Sequence, residues 1–158
     1  MIREATSNDV PEIAAMIREL ADYEHLTHEM SLDPAALAEH LFGPRPYAEV
    51  LIAEHEQTIA GFALFFHNYS TFLGKPGIYL EDLFVRPAFR KLGLGKALLK
   101  HVARLALERG CGRLEWSVLD WNTPSIQFYK SLGARAMDEW TIYRVTGEQL
   151  HKLGEASK

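Results

Sequence analysis

The sequence predicts an α/β fold around a mixed central sheet, and three observations carry that prediction. Extended apolar runs and stretches with helical period follow one another in the order strand, two helices, three strands, helix, strand, helix, strand. Glycine, proline and cap-forming residues stand at most of the boundaries between them. With 158 residues, 47% of them hydrophobic and 24% charged, the chain has the material for one core of ordinary size, so residues 1–158 are expected to form a single domain.

Ile2 to Ala5 reads as a short strand. Thr6-Ser7-Asn8-Asp9 supplies N-cap residue types ahead of an apolar stripe at Val10, Ile13, Ala14, Ile17 and Leu20, which predicts an amphipathic helix ending near Tyr23. Asp33-Pro34 starts a second helix with Ala36, Leu37 and Leu41 on one face, and Gly43-Pro44 stops it. Three neighbouring strands follow at Val50 to Ala53, Ile59 to Phe66 and Ile78 to Val85.

A helix over Gly95 to Arg109 carries Leu98, Val102, Leu105 and Ala106 on its apolar face, with Gly110 as its C-terminal stop. Leu114 to Leu119 is expected to be extended. Asn122-Thr123-Pro124-Ser125 caps a short helix that runs to Leu132 and closes on Gly133. Trp140 to Val145 reads as a final strand, and Thr146 with Gln149 as a capping box for a last turn. No internal repeat, low-complexity stretch or linker interrupts this order.

Seventeen basic against 21 acidic residues give a net charge of −4, with Lys and Arg scattered rather than gathered into a stripe, which argues against a nucleic-acid partner. No apolar run approaches the ~20 residues that cross a bilayer. The start Met1-Ile2-Arg3-Glu4 lacks the apolar core of a signal peptide, and the lone Cys111 excludes an internal disulfide. A cytoplasmic protein without a membrane partner is expected. Among seven histidines, His25 and His28 lie near Glu24 and Glu29, but no further ligand at diagnostic spacing completes a metal site.

The most informative segment is Arg90-Lys91-Leu92-Gly93-Leu94-Gly95, between an apolar strand and a helix. Unpaired amides of a first helical turn point outward there and make a cradle for anionic oxygens, so the segment reads as a diphosphate grip. A dinucleotide fingerprint would need glycine at 98, where Leu98 stands. A nucleotide P-loop would need glycine at 90 and Ser or Thr at 97, where Arg90 and Ala97 stand. A Gly-x-Gly pair also serves in plain tight turns, and the downstream sequence separates the two readings.

With Trp121-Asn122-Thr123-Pro124-Ser125-Ile126-Gln127-Phe128-Tyr129-Lys130, the Arg-x-x-Gly-x-Gly loop resembles the GCN5-related N-acetyltransferase (GNAT) superfamily. Glu19-Leu20-Ala21-Asp22-Tyr23-Glu24 and Tyr79-Leu80-Glu81-Asp82-Leu83-Phe84-Val85 extend the likeness to its diamine and polyamine (spermidine/spermine) acetyltransferase branch, from about Ile2 to Val145. The resemblance implies a mostly antiparallel central sheet flanked by helices, with strands splayed at an acetyl-CoA site, and a homodimer. It implies direct attack of a primary amine of a small diamine or polyamine on the thioester of acetyl-CoA.

For the donor, the resemblance implies that the strand edge at Leu83, Phe84 and Val85 pairs with the pantetheine arm. Arg90, Lys91, Leu92, Gly93, Leu94, Gly95 and Lys96 would hold the pyrophosphate, and Asn122 and Ser125 would contact coenzyme A. Tyr129 falls where the family places its general acid, which fits the need of a departing thiolate for a proton. The acceptor is a cation that must lose a proton before it attacks, which calls for carboxylates. Glu81 is the leading candidate for both effects, and its apolar neighbours Leu80 and Leu83 suggest burial on one face. The two-residue period sends Asp82 to the opposite face unless a bulge intervenes, and a structural pairing with a nearby Arg or Lys is expected there.

Tyr23, Glu24, Glu115, Trp116 and Ser117 match the branch's substrate-binding positions. The chain departs from it after the last helix, where only Asp138-Glu139 stands in place of a longer acidic turn. A lysine-like acceptor such as thialysine, or a protein N-terminus, therefore stays open as an alternative, as does, in a different class, a coenzyme A-binding sensor without turnover.

Overall fold

Five strands pair in chain order into one sheet, β1 (Ile2–Glu4), β2 (Glu49–His55), β3 (Thr58–Ser70), β4 (Lys75–Val85) and β5 (Leu114–Trp116). The computed structural model describes residues 1–155. The first four strands are antiparallel neighbours and β5 runs parallel to β4. That reversal follows from the connections. Glu56 and Gln57, at φ 49° and 67°, close a two-residue hairpin between β2 and β3, whereas the helix α3 (Leu94–Glu108) carries the chain back across the sheet before β5.

Met1–Leu119 and Asp120–Lys158 are two compact units. In the first unit, α1 (Val10–Tyr23) and α2 (Pro34–Phe42) cover one face of the sheet. Val10, Ile13, Ala14 and Met16 of α1, with Leu37 and Leu41 of α2, pack against Val50, Ile52, Phe62, Leu64 and Phe84. The intervening residues Leu51, Ala53, Ala63 and Phe65 point the other way, toward the face that α3 covers with its buried Leu98, Leu99, Val102 and Ala106. Both helix boundaries follow the sequence: Pro11 and Pro34 stand in first turns, and Asp33 Oδ1 accepts the Ala35 amide at 3.2 Å.

The end of β4 is tied to α1 by one side chain. Arg86 donates through Nε and Nη2 to the two carboxylate oxygens of Glu19, each at 3.1 Å, meets Glu12 Oε2 at 2.7 Å, and donates from Nη1 to the Ile59 carbonyl at 3.1 Å. Gly61 lets β3 and β4 close at the same end, because a Cβ there would stand 2.5 Å from the Phe84 carbonyl oxygen.

The β3–β4 ladder has one irregularity. Leu64 pairs with Asp82 and Phe65 with Leu80, so Glu81 is an extra residue in β4. The bulge reverses the strand's alternation. Before it, Ile78 and Leu80 are buried outside the α1/α2 cluster; after it, Phe84 lies inside that cluster. It also explains why β5 is shorter than the expected Leu114 to Leu119. The parallel ladder runs from Ile78↔Leu114 to Leu80↔Trp116 and stops where the bulge bends β4 away.

In the second unit, α4 (Thr123–Ser131) begins as the sequence predicts, with Asn122 Oδ1 accepting the Ser125 amide at 3.4 Å, and ends on Gly133 at φ 88°. Two expectations fail there. Trp140 to Val145 is not a strand: its alternation lacks a ladder to join, and Trp140, Ile142 and Tyr143 are exposed on both parities. Thr146 precedes the last helix, α5 (Gly147–Gly154), but makes no side-chain cap, since Gly147 begins that helix at φ 57° rather than in helical geometry.

Candidate active site

Two successive carboxylates leave β4 toward one face. Glu81 continues the alternation that puts Tyr79 opposite Leu80, and Asp82, past the bulge, shares the face of its partner Leu64 and of Phe84. The expectation that the two acids diverge is corrected by the extra residue. The burial expected for Glu81 is not found either: Glu81 is exposed and Asp82 half-buried, because the bulged residue is lifted off the ladder.

The ion pair expected for Asp82 is absent among the described residues. The cations that follow the strand are committed elsewhere, Arg86 to Glu12 and Glu19, and Arg90 to the Val85 carbonyl, which its Nε reaches at 2.9 Å. Burial, followed by the negative charges of Glu81 and Glu24, pushes the Asp82 carboxyl up to about 7. Glu24, just beyond α1, is raised by burial and then by Glu81. Glu24, Glu81 and Asp82 thus form one electrostatically coupled group. Among the described residues, no cluster of three or more His, Cys, Asp or Glu is arranged to hold a metal ion.

Beside the acids lies an open strand edge. Beyond Leu80, β4 keeps its pairing to β3, with Leu83, Phe84 and Val85 opposite Ala63, Phe62 and Gly61, while the β5 ladder has ended. The splayed strands expected from the sequence are therefore present, and the departing β5 leaves backbone groups of Glu81 to Val85 for another chain to pair with.

The loop after this edge turns through Lys91 at φ 69° and Gly93 at φ 79°, and Gly93 is the N-cap of α3. A Cβ on Gly93 would meet nothing within 4 Å, and one on Gly95 only Val85 Cγ2 at 3.7 Å. Protein packing therefore does not explain Gly95, and the first turn of α3 is left open to the close approach of a ligand. Leu92, Leu94 and Lys96 complete this turn, with Leu92 and Lys96 exposed. A strand edge leading to a helix N-terminus fits an amide-bearing arm that ends in a diphosphate. Arg90 leans back over the Tyr23 and Phe84 rings, its guanidinium carbon 5.3 and 5.7 Å from their centroids, and so links the loop to the end of α1.

The remaining sequence-derived residues have local partners of their own. Glu115 accepts from Asn68 Nδ2 at 3.2 Å and stands 3.0 Å from Arg113 Nε, so its charge is already answered. Ser117 Oγ is 2.6 Å from the Tyr79 hydroxyl, and Trp116 ends the β5 ladder. Asn122, Ser125 and Tyr129 belong to the second unit, where Asn122 and Ser125 form the α4 cap and Tyr129 packs its ring against Phe128 at 5.7 Å between centroids. Sequence reasoning underrated Asp82. The available signal was two adjacent acids in an apolar strand, a pattern that a regular pleat accommodates only by burying one of them.

Comparison with known proteins accounts for this arrangement. The sequence model of the Acetyltransferase (GNAT) family matches residues 13–134. The chain is 38% identical to the Thialysine N-epsilon-acetyltransferase of Bos taurus, over 97% of this chain and 96% of that protein. It is 35% identical to the Spermidine/spermine N(1)-acetyltransferase-like protein 1 of Homo sapiens, over 94% of this chain and 23% of that protein. Among solved structures, an integron cassette protein from the mobile metagenome of V. cholerae superposes with a TM-score of 0.82 at 27% identity, covering 99% of this chain and 98% of that one. The chain belongs to the Acetyltransferase (GNAT) family and is an acetyl-CoA-dependent N-acetyltransferase.

Proposed function

We propose that this enzyme acetylates a primary amine at the end of a small diamine or polyamine, by direct attack on the donor thioester. The observation that carries the reading is the coupled trio Glu24, Glu81 and Asp82, which has no cation partner among the described residues and lies beside an open strand edge. Such a group attracts an acceptor with more than one positive charge, since each added ammonium gains from the same field. Glu81 and Glu24 bind the ammonium, with Tyr23 beside them, Glu115 and Trp116 on the neighbouring strand and Ser117 just past its end.

On the donor side, Leu83, Phe84 and Val85 pair with the pantetheine amides. Arg90 to Lys96 take the pyrophosphate, with Asn122 and Ser125 contributing further contacts to coenzyme A. Tyr129 supplies the proton to the departing sulfur. The family match spans parts of both compact units, which supports treating the whole chain as one N-acetyltransferase domain. No described helix is long and apolar enough to cross a membrane, and a cytoplasmic enzyme is proposed. Exposed Trp140, Ile142, Tyr143 and Leu153 support a homodimer, which sedimentation equilibrium would test.

A second reading, a lysine-like amino acid as acceptor, draws on the 38% identity to the thialysine enzyme and on the short Asp138-Glu139 turn. Specificity constants for spermidine, putrescine, lysine and thialysine separate the two, with the diamine and polyamine expected to lead. Donor binding by calorimetry with no thiol release from any amine would instead make the chain a coenzyme A sensor.

A further inference from the structure

We propose that Asp82, rather than Glu81, takes the proton from the acceptor ammonium, while Glu81 holds the cation beside it. This rests on the amine-acetylating reading above. The argument begins with the bulge. The extra residue turns Asp82 onto the α1/α2 face between Leu64 and Phe84, half-buried, and leaves Glu81 lifted off the ladder in water. An exposed carboxylate attracts a cation through screening solvent but has little tendency to take its proton. A carboxylate set in an apolar wall holds a proton more readily, and a general base works best when its proton affinity matches the working pH.

The groups facing Asp82 point the same way. Glu81 precedes it on β4, and Glu24 approaches from the end of α1, flanked by Tyr23 and His25. Leu64 faces it from β3. Glu19 of α1 is neutralised by Arg86, and Arg90, over Phe84, is bound to the Val85 carbonyl. Two uncompensated negative neighbours and the apolar wall raise the Asp82 carboxyl to about 7, so near neutral pH it can both accept a proton and give it up.

The step balances as follows. The acceptor R–NH3+ gives one proton to Asp82, directly or through one water. The freed nitrogen lone pair forms the C–N bond to the thioester carbonyl carbon. The C–S bond then breaks with its electron pair on sulfur, which takes a proton from Tyr129, and the nitrogen's second surplus proton restores that phenol through solvent. The net products are the amide, the thiol and one proton, which Asp82 releases to water.

The test compares Asp82→Asn, Asp82→Glu and Glu81→Gln in the full chain, with kcat/KM measured from pH 5.5 to 9 on the best amine of the panel. The unmodified enzyme should show an acidic limb that levels off near pH 7. Glu81→Gln should keep the limb, displaced to lower pH, and raise KM. Asp82→Asn should lose the limb and fall by roughly 100-fold at pH 7.5, with Asp82→Glu recovering part of the loss. Turnover by Asp82→Asn within threefold of the unmodified enzyme, with the limb intact, would overturn the proposal. If the unmodified chain acetylates no amine, the parent reading fails instead, and carbon-13 NMR of the aspartate carboxyls still decides the premise. A resonance absent from Asp82→Asn should titrate near 7 and move down in Glu81→Gln, whereas titration near 4 would overturn the inference.

Discussion

Glu81 and Asp82 are consecutive in β4 yet send their carboxylates to the same face of the sheet, because Glu81 is the extra residue of a bulge between Leu64↔Asp82 and Phe65↔Leu80. The same irregularity ends the β4–β5 ladder at Leu80↔Trp116. One inserted residue thus produces both the acidic group and the open edge next to it, within a single strand.

The first consequence is a stability that falls with pH. The Asp82 carboxyl titrates near 7 in the folded chain and near its ordinary 3.8 when unfolded, so between those values the unfolded state releases a proton that the folded state keeps. Rising pH through this window therefore favours unfolding. Asp82→Asn removes the effect: its Tm should exceed that of the unmodified protein at pH 8 and differ little at pH 4. Equal Tm differences at both values in calorimetric scans would refute the linkage.

Gly61 is required by packing. A Cβ at this position would stand 2.5 Å from the Phe84 carbonyl oxygen and 3.1 Å from Val85 Cα, both backbone atoms that cannot swing aside. Gly61→Ala should cost about 1–3 kcal/mol, and lower the urea midpoint accordingly. Because Gly61 pairs with Val85, the same variant should weaken donor binding.

Gly95 presents the opposite case. A Cβ there meets only ordinary contact with Val85 Cγ2 at 3.7 Å, and Gly95→Leu should leave Tm nearly unchanged. The new side chain would cover the first turn of α3, so the dissociation constant for acetyl-CoA should rise by roughly tenfold or more, the scale of one lost charge-assisted contact. Calorimetric titration checks this, and unchanged affinity would remove the loop from the donor site.

Much of the fold was legible from the residues. The stripe from Val10 to Leu20 gives α1 its start and its end at Tyr23, and the Arg90 to Gly95 segment gives the turn into α3 with glycine at the left-handed position 93. What escaped was nonlocal. A period-two reading assumes a regular pleat, so it separates Glu81 from Asp82 and cannot see the inserted residue, which is defined only by its partners on β3. Trp140 to Val145 has strand composition without a strand, since a ladder needs a neighbour that composition does not specify. Likewise the sequence does not show that Glu115 is held by Asn68, 47 residues away, and by Arg113.

Direct transfer predicts that no thiol of the protein carries the acetyl group. Cys111 is the only cysteine, and its amide closes the C-terminus of α3 on the Ala106 carbonyl at 2.8 Å. That role belongs to the backbone, so Cys111→Ala should turn over at nearly the normal rate. A drop of several orders of magnitude would require a covalent acetyl-enzyme instead.

The complementary proton step is the one proposed for Tyr129. Its backbone carbonyl accepts the amides of Leu132 and Ala134 at the end of α4, contacts that do not involve the phenol. Tyr129→Phe therefore preserves the helix terminus while deleting one hydroxyl. If that hydroxyl protonates the departing thiolate, kcat should fall by roughly 100-fold or more with acetyl-CoA affinity unchanged. The loss should shrink for an acyl thioester whose thiol is more acidic, because a better leaving group needs less help. A uniform loss across thioesters, or none, would take Tyr129 out of the acid role.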